Sequence, residues 1–264
     1  MAIQADGSQL LLGRGKTFFK RNEAAGTAQG HTFMGQVTQL EIRPKDEVID
    51  EKSAVEAAAP IIKQVKVSTD HEIALTFKEM KAHNLALALF GTVGSYTQAA
   101  TAVTNEIFTD VKQGTYIKTA KRLIGSVVVT GPSATPTYTV TTDYVVEDAT
   151  EGLIYIVPGG TITDGSDLEV DYTPTAVAAP GLDTVIGGVS SFIEGELLFI
   201  PDPATGPKWR AEIWKASLNS NAVIALIQSA NEFASAELLG KVLSDATNHP
   251  TEPYYRLTRV GIVS

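Results

Sequence analysis

Two short patterns in this chain contain residue types that could carry out chemistry. Gly15-Lys16-Thr17 has the final residues of a phosphate-binding loop, in which backbone N–H groups and a lysine hold a nucleotide. That motif needs a glycine five positions before Gly15, and the residue there is Leu10. His71-Glu72 has the opening of a zinc-protease helix, but Leu75 occupies the position of the second histidine. Neither pattern predicts a catalytic site.

A third pattern, Asp164-Gly165-Ser166-Asp167, resembles half of a calcium-binding loop. It lacks the regular oxygen-bearing positions and the terminal glutamate, so a tight turn is the better prediction. The chain has no cysteine, which excludes disulfides and thiolate sites, and its four histidines are scattered without ligand spacing. We therefore expect a protein that is not an enzyme and needs no cofactor or metal.

Composition and charge restrict the class of protein further. The 264 residues are 44% hydrophobic with a formal net charge of −9, which is typical of a globular protein and argues against a basic surface that grips nucleic acid. An acidic surface could instead let a duplex slide past without specific binding. The apolar runs are too short for a membrane span, and the first residues do not form a secretory signal, so we expect no membrane insertion.

The first third of the chain predicts a strand, a loop, a long strand and a helix. Residues 36–43 predict a strand that Pro44 ends, followed by an acidic loop over residues 45–59. In residues 65–77 apolar and polar side chains alternate, which predicts a long strand with one dry face containing His71 and one wet face. Residues 79–90 predict a helix that packs on more than one side, with Gly91 in the C′ position. Its packing side chains are Leu85, Leu87, Leu89 and Phe90.

The composition changes between residues 115 and 179, where threonine, valine, tyrosine, glycine and proline dominate. Short strand patterns there are separated by turn signals such as Pro158-Gly159-Gly160. Their spacing predicts a small immunoglobulin-like β-sandwich. We therefore predict a discontinuous core domain of residues 1–114 and 180–264, with a domain of residues 115–179 inserted into it.

The order of these elements resembles the tail tube (major tail) proteins of long-tailed bacteriophages. In that family a glycine-rich opening strand, here near Gly13-Arg14-Gly15-Lys16, precedes a strand, an acidic loop, a long alternating strand and a helix of the Asn-Leu-Ala-x-Ala-Leu-x-Gly type. Asn84-Leu85-Ala86-Leu87-Ala88-Leu89-Phe90-Gly91 fits the helix pattern position by position. The resemblance covers residues 10–92 well and residues 185–259 loosely, and the inserted segment departs from it.

The resemblance implies a mostly β fold, a tail-tube β-sandwich or barrel with one flanking α-helix, in a structural virion protein. Copies of the chain would close into hexameric rings, and stacked rings would form the tail tube through which double-stranded DNA leaves during ejection. Further implied partners are the tape-measure, tail terminator and tip proteins, and assembly would take place in the host cytoplasm. The acidic loop would order when rings stack, through Asp46, Glu47, Asp50 and Glu51. Our candidates for side chains that face the lumen are Glu47, Asp70 and Glu72.

Two other functions are compatible with the sequence. One is the tube of a contractile tail or a type VI-like system, which shares the fold but adds a sheath. The other is a β-rich adhesin or carbohydrate-binding module. Trp209 and Trp214 lie five positions apart on a predicted strand, which places them on opposite faces, one in the core and one at an interface.

Overall fold

The computed structural model describes residues 6–22, 30–190, 192–219, 224, 226–227 and 233–263. Strands account for 58% of the residues and helices for 5%, which confirms the predicted mostly β fold with one α-helix. The strands are β1 (Gly15–Arg21), β2 (Thr32–Phe33), β3 (Val37–Lys52), β4 (Ile61–Phe77), β5 (Thr92–Gln98), β6 (Val103–Val111), β7 (Tyr116–Lys118), β8 (Ile124–Thr130), β9 (Tyr144–Asp148), β10 (Leu153–Ile156), β11 (Ser166–Pro174), β12 (Val177–Ile186), β13 (Ile193–Pro201), β14 (Gly206–Asn219), β15 (Ala236–Val242) and β16 (Tyr255–Val263), and the helix is α1 (Ala82–Ala88).

The chain divides into two compact units. The first contains Met1–Val93 and Val185–Ser264, and the second is Gly94–Thr184. The second unit is wider than the predicted inserted domain of residues 115–179. Residues 94–114, which we predict to belong to the core domain, lie in the second unit instead, because β5 pairs with β12 and β6 pairs with β11. These pairings bring both flanks of the predicted domain into the second unit.

An eight-stranded sheet forms the first unit, in the order β2-β1-β13-β14-β15-β4-β3, with β16 added to β14. The neighbouring strands are antiparallel throughout the registered pairs. One face of this sheet carries a continuous core, to which β4 contributes Ile73, Leu75 and Phe77 and β14 contributes Ile213. We call the face of the sheet that carries this core the inner face, and the opposite face the outer face.

The second unit is a small β-sandwich. Two three-stranded sheets, β7-β10-β9 and β6-β11-β8, contribute to one apolar core. The largest fully buried side chains of that core include Tyr172, Ile154 and Leu168. Two sheets with alternating inward side chains around a shared core are the arrangement that the short strand patterns predicted.

Helix α1 is shorter than the predicted helix over residues 79–90, and it ends differently. Phe90, not Gly91, has the left-handed conformation at C′, with φ +52°. The N–H of Gly91 then donates to the carbonyl of Ala86 at 2.8 Å, as in a Schellman motif. A Cβ on Gly91 would lie 2.3 Å from the Ile186 carbonyl oxygen, so the glycine permits a close approach of two backbones rather than a positive φ.

Of the four side chains that we predict to pack, all but one are at least partly buried. Leu87 and Phe90 are buried in the core, and Leu85 is half-buried. Leu89 was expected to pack and is instead 44% exposed. The buried residues of α1 are Asn84, Ala86, Leu87 and Ala88, which cover a wide arc of the helix, and position 89 lies in the remaining arc that faces solvent.

Candidate functional site

The most unusual feature of the first unit is a hairpin that continues beyond the sheet. β3 and β4 remain paired from Val37 and Phe77 to Lys52 and Ile61, whereas β15 accompanies β4 only between Glu72 and Phe77. Among the described strands, residues 46–69 therefore pair only with one another. We call residues 46–69 the arm.

The arm replaces the predicted acidic loop. Pro44 does not end the strand, because β3 is the edge strand of its sheet and a proline at an edge removes no ladder hydrogen bond that the sheet requires. Asp46, Glu47, Asp50 and Glu51, which we predicted to lie in a loop, consequently lie in a strand opposite Thr69, Ser68, Gln64 and Lys63. A preformed hairpin thus presents these four acids.

A β-bulge inside the arm changes which side chains share a face. Glu47 pairs with Ser68 and Val48 with Lys66, so Val67 is an extra residue on β4. Between the bulge and the end of β4 at Phe77, the odd residues of β4 face the core. On the other side of the bulge, towards the tip of the arm, Val65 pairs with Ile49, an odd residue of β3, and lies on the outer face. The predicted dry face of residues 65–77 is therefore correct from His71 onwards, where Ile73, Leu75 and Phe77 are buried and His71 packs against two tyrosine rings, but it is wrong for Val65.

The apolar side chains of the arm are uncovered. Ile49 is 61% exposed and its cross-strand partner Val65 is 47% exposed. The remaining large apolar residues of the arm are exposed as well: Val48, Val55, Ile61, Ile62 and Val67. A hairpin of two strands cannot bury both of its faces, and exposed apolar residues concentrated on one projecting element are typical of an interaction surface.

The three candidate lumen residues lie on one face. Glu47, Asp70 and Glu72 all project from the outer face of the β3–β4 pair, as the register shows. Each is close to a polar or basic partner. Lys241 Nζ lies 2.5 Å from Asp70 Oδ2, Lys45 Nζ lies 3.5 Å from Glu72 Oε1, and Ser68 donates to Glu47 at 3.1 Å. This face therefore alternates in charge and is not a continuous row of carboxylates.

Two acids of this region have lowered pKa values. The hydrogen bond from Lys241, followed by the charge of that lysine, lowers the pKa of Asp70. The hydrogen bond from Lys66, followed by the one from Thr69, lowers the pKa of Asp46. Both carboxylates stay ionised at neutral pH, so the charge pattern of the arm is fixed there.

The two tryptophans lie on opposite faces of β14, as predicted. Trp209 shares the inner face with Ala211 and is 40% exposed. Trp214 is half-buried, with the His249 ring stacked on it at 3.9 Å and Arg256 at 5.5 Å from its ring centroid. Trp214 is therefore covered by its own chain, whereas Trp209 is not.

The three patterns that resemble a phosphate-binding loop, a zinc-protease helix and a calcium loop do not come together in one site. Lys16 lies in the exposed part of β1, and His71 packs against the rings of Tyr254 and Tyr255. Asp164 accepts a hydrogen bond from the Gln113 N–H in a turn, as expected of a turn rather than a calcium loop. Within the described part of the chain, no group of three or more histidine, aspartate or glutamate side chains could hold a metal ion.

A family model described as "Protein of unknown function UCP028589" matches residues 10–256. The chain belongs to this family. The matched range includes the arm, the helix and the whole second unit. No curated protein matches the chain. None of the helices that the structure describes has the length and apolar character of a membrane span.

Proposed function

We propose that this chain is a structural virion protein whose copies form stacked rings, and that the stacked rings are the tail tube of a long-tailed bacteriophage, the conduit for viral DNA during ejection. The observation that supports self-assembly best is the arm, a preformed hairpin whose large apolar side chains are exposed. The resemblance of residues 10–92 to tail tube proteins supports a tail tube as the kind of assembly that the chain forms.

The energetics of the arm favour assembly through many weak contacts. Burying a valine or isoleucine side chain completely contributes about 1.5–3 kcal/mol, so each half-exposed side chain of the arm offers about 1 kcal/mol. The seven uncovered residues together offer about 7 kcal/mol, within the range of about 4–15 kcal/mol that association costs in lost freedom. One arm would bind weakly, whereas the repeated contacts of two stacked rings would add up.

The open edges of the sheet provide a second argument. β3 is a 16-residue edge strand, and an edge of that length is a template for pairing with another chain. Closure of several copies into a ring removes such edges, and a head-to-tail contact between rings extends without limit until another protein terminates it. The partners of such a tube are further copies of the chain, the tape-measure, terminator and tip proteins, and double-stranded DNA that passes without specific binding.

The proposal is tested by electron microscopy of an armless variant beside the wild type. Lys45 and Asp70 are cross-strand partners, so residues 46–69 can be replaced by Asn-Gly, which closes a two-residue hairpin turn. We expect stacked rings or hollow tubes from the wild type in a concentration series and dispersed, folded particles from the variant. Tubes of normal length from the armless variant would contradict the role of the arm, and a wild type dispersed at every concentration would contradict self-assembly.

A pair of point variants provides the matched control. Ile49 in the arm is 61% exposed and Ile107 in the second unit is 65% exposed. Neither isoleucine is required for the core of its unit, so Ile49→Asp and Ile107→Asp should leave the folded monomer intact. We expect only Ile49→Asp to raise the concentration at which assemblies appear.

A further inference from the structure

A second uncovered apolar surface lies in the same unit as the arm. It is a groove of about 460 Å³ between the first residues of β3 and the end of the sheet formed by β1, β13, β14 and β16. We call this surface the groove. Its apolar walls are Leu11, Leu40, Phe199, Trp209 and Leu257. Trp209 is 40% exposed and Leu257 is 52% exposed, so large apolar groups face solvent there as they do on the arm.

Basic side chains flank the apolar part of the groove. Arg14 belongs to its lining, and Arg259 is the cross-strand partner of Trp209. Within the described residues neither arginine takes part in an ion pair, whereas the acid of the groove, Glu41, is held by Arg43. The groove therefore combines an apolar centre with an excess of positive charge, in a chain whose net charge is −9.

The outer face of the arm has the complementary arrangement. Ile49 and Val65 form an apolar cross-strand pair, and Glu47 and Glu51 lie two residues before and after Ile49 on the same face. Glu51 takes part in no ion pair within the part of the chain that the structure describes, and its cross-strand partner on this face is Lys63, so Glu47, Glu51 and Lys63 together leave one negative charge there. Apolar side chains between two acids would meet apolar walls between two arginines, which satisfies both surfaces at once.

We propose that the groove is the acceptor site for the outer face of the arm of another copy of this chain. The assignment rests on the proposed function and identifies the surface that receives the arm. The donor must be another copy, because residues 37–42 line the groove and continue directly into the arm. An arm that extends from one side of its own groove cannot turn back into it without breaking the β3–β4 ladder. The arm and the groove are different surfaces, so a copy that donates its arm to one neighbour and receives the arm of another makes a head-to-tail contact, the kind that produces an open-ended stack.

The absence of cysteine makes a direct test available. An Ile49→Cys variant is mixed with a Leu257→Cys variant and oxidised with oxidised glutathione, which accepts the electrons of the two thiols. Docked thiols have an effective concentration in the millimolar range, so at micromolar protein we expect the mixed dimer to form about 100-fold faster than by random collision. The control replaces Ile49→Cys with Ile107→Cys, which is equally exposed but lies in the second unit.

The result is compared with electron microscopy of the same mixtures before oxidation. Tubes together with a mixed dimer specific to Ile49→Cys would support both the acceptor site and the proposed function. Tubes with no more dimer than the control would overturn the acceptor site alone. Specific dimers without rings or tubes at any concentration would support the arm-groove contact and overturn the tube. Neither tubes nor specific dimers would overturn both.

Discussion

The buried side chain of Asn84 fixes helix α1 to the rest of the first unit. The substitution Asn84→Asp tests the hydrogen bonds of this side chain separately from its packing. The side chain is fully buried. Its Nδ2 donates to the carbonyl oxygen of Met34 at 2.9 Å and to that of Glu79 at 2.8 Å. Aspartate has almost the same shape, but its oxygen at that position would meet two carbonyl oxygens without a proton to share. The substitution therefore changes two hydrogen bonds into two repulsions while the packing stays the same.

The expected loss follows from these contacts. Two buried carbonyl groups lose their donor, and each hydrogen bond contributes about 1 kcal/mol net, with a further penalty for leaving the group unsatisfied. Burial beside two carbonyl oxygens also raises the pKa of the new carboxyl above its unfolded value of about 3.9. If that pKa reaches about 7, the additional cost at pH 7 is about 4 kcal/mol. We expect a total loss of about 5–6 kcal/mol at pH 7.

The loss should depend on pH in a defined direction. A group whose pKa is raised in the folded state stabilises the fold below its unfolded pKa, and that contribution is lost as the pH rises. The deficit of Asn84→Asp should therefore shrink to about 2 kcal/mol at pH 4, where the protonated carboxyl can donate one hydrogen bond. Asn84→Ala, which removes the donor without adding a charge, should lose about 2–3 kcal/mol at both pH values.

The assay is denaturant unfolding followed by tryptophan fluorescence. Both tryptophans of the chain, Trp209 and Trp214, lie in the first unit, so their emission reports the unit that contains Asn84. Unfolding of Asn84→Asp within 1 kcal/mol of the wild type at pH 7, or with the same pH dependence as Asn84→Ala, would refute this account of the buried amide.

Three further predictions concern other buried groups. Backbone N–H groups donate to Asp143 and lower its pKa, so this carboxylate stabilises the second unit above about pH 3.8, and the stabilisation is lost as the pH falls further. Asp143→Ala should lower the free energy of unfolding of this unit by about 3 kcal/mol at neutral pH and by less in acid. Unfolding followed by circular dichroism measures this loss, and the tryptophan emission should not change. Gly91→Ala places a Cβ 2.3 Å from a carbonyl oxygen and should cost about 2–3 kcal/mol in the fluorescence assay, whereas Gly187→Ala, with its nearest contacts at 3.4 Å, should cost less than about 1 kcal/mol. Burial, followed by the hydrogen bond to Glu106, raises the pKa of Tyr172 to about 12. The free energy of unfolding of the wild type should therefore fall above about pH 10, and in Tyr172→Phe the part of this decrease that Tyr172 causes should be absent.

The sequence predicts the parts of this fold that depend on local periodicity. The alternation in residues 65–77 correctly predicts a long strand, and the threonine- and valine-rich segment correctly predicts a small β-sandwich. The bulge at Val67 could not be predicted, because it depends on the register with β3, and register is a property of two strands. A one-residue shift moved Val65 to the other face without leaving a signal in its own segment.

Pro44 shows a different reason for a wrong prediction. Proline ends a strand only where its missing N–H would have been needed, and that depends on whether the strand is central or at an edge. The acidic composition after Pro44 then indicated a loop, although charged residues are also what protects an exposed edge strand. The groove, likewise, depends on residues from five strands that are distant in sequence, so no local pattern could have revealed Trp209 and Leu257 as neighbours.

In the assembly that we propose, the acids of the arm would keep the exposed hairpin from pairing non-specifically before it meets its acceptor. Two arms that approach edge to edge bring like charges together, since Asp46, Glu47, Asp50 and Glu51 all lie on the edge strand β3. The lysines that offset them, Lys63 and Lys66, lie on β4. Repulsion between like edges disfavours non-specific arm-to-arm pairing. In the proposed contact Arg14 and Arg259, beside the groove, attract two of these acids, Glu47 and Glu51, so the same two charges oppose aggregation and favour the head-to-tail contact.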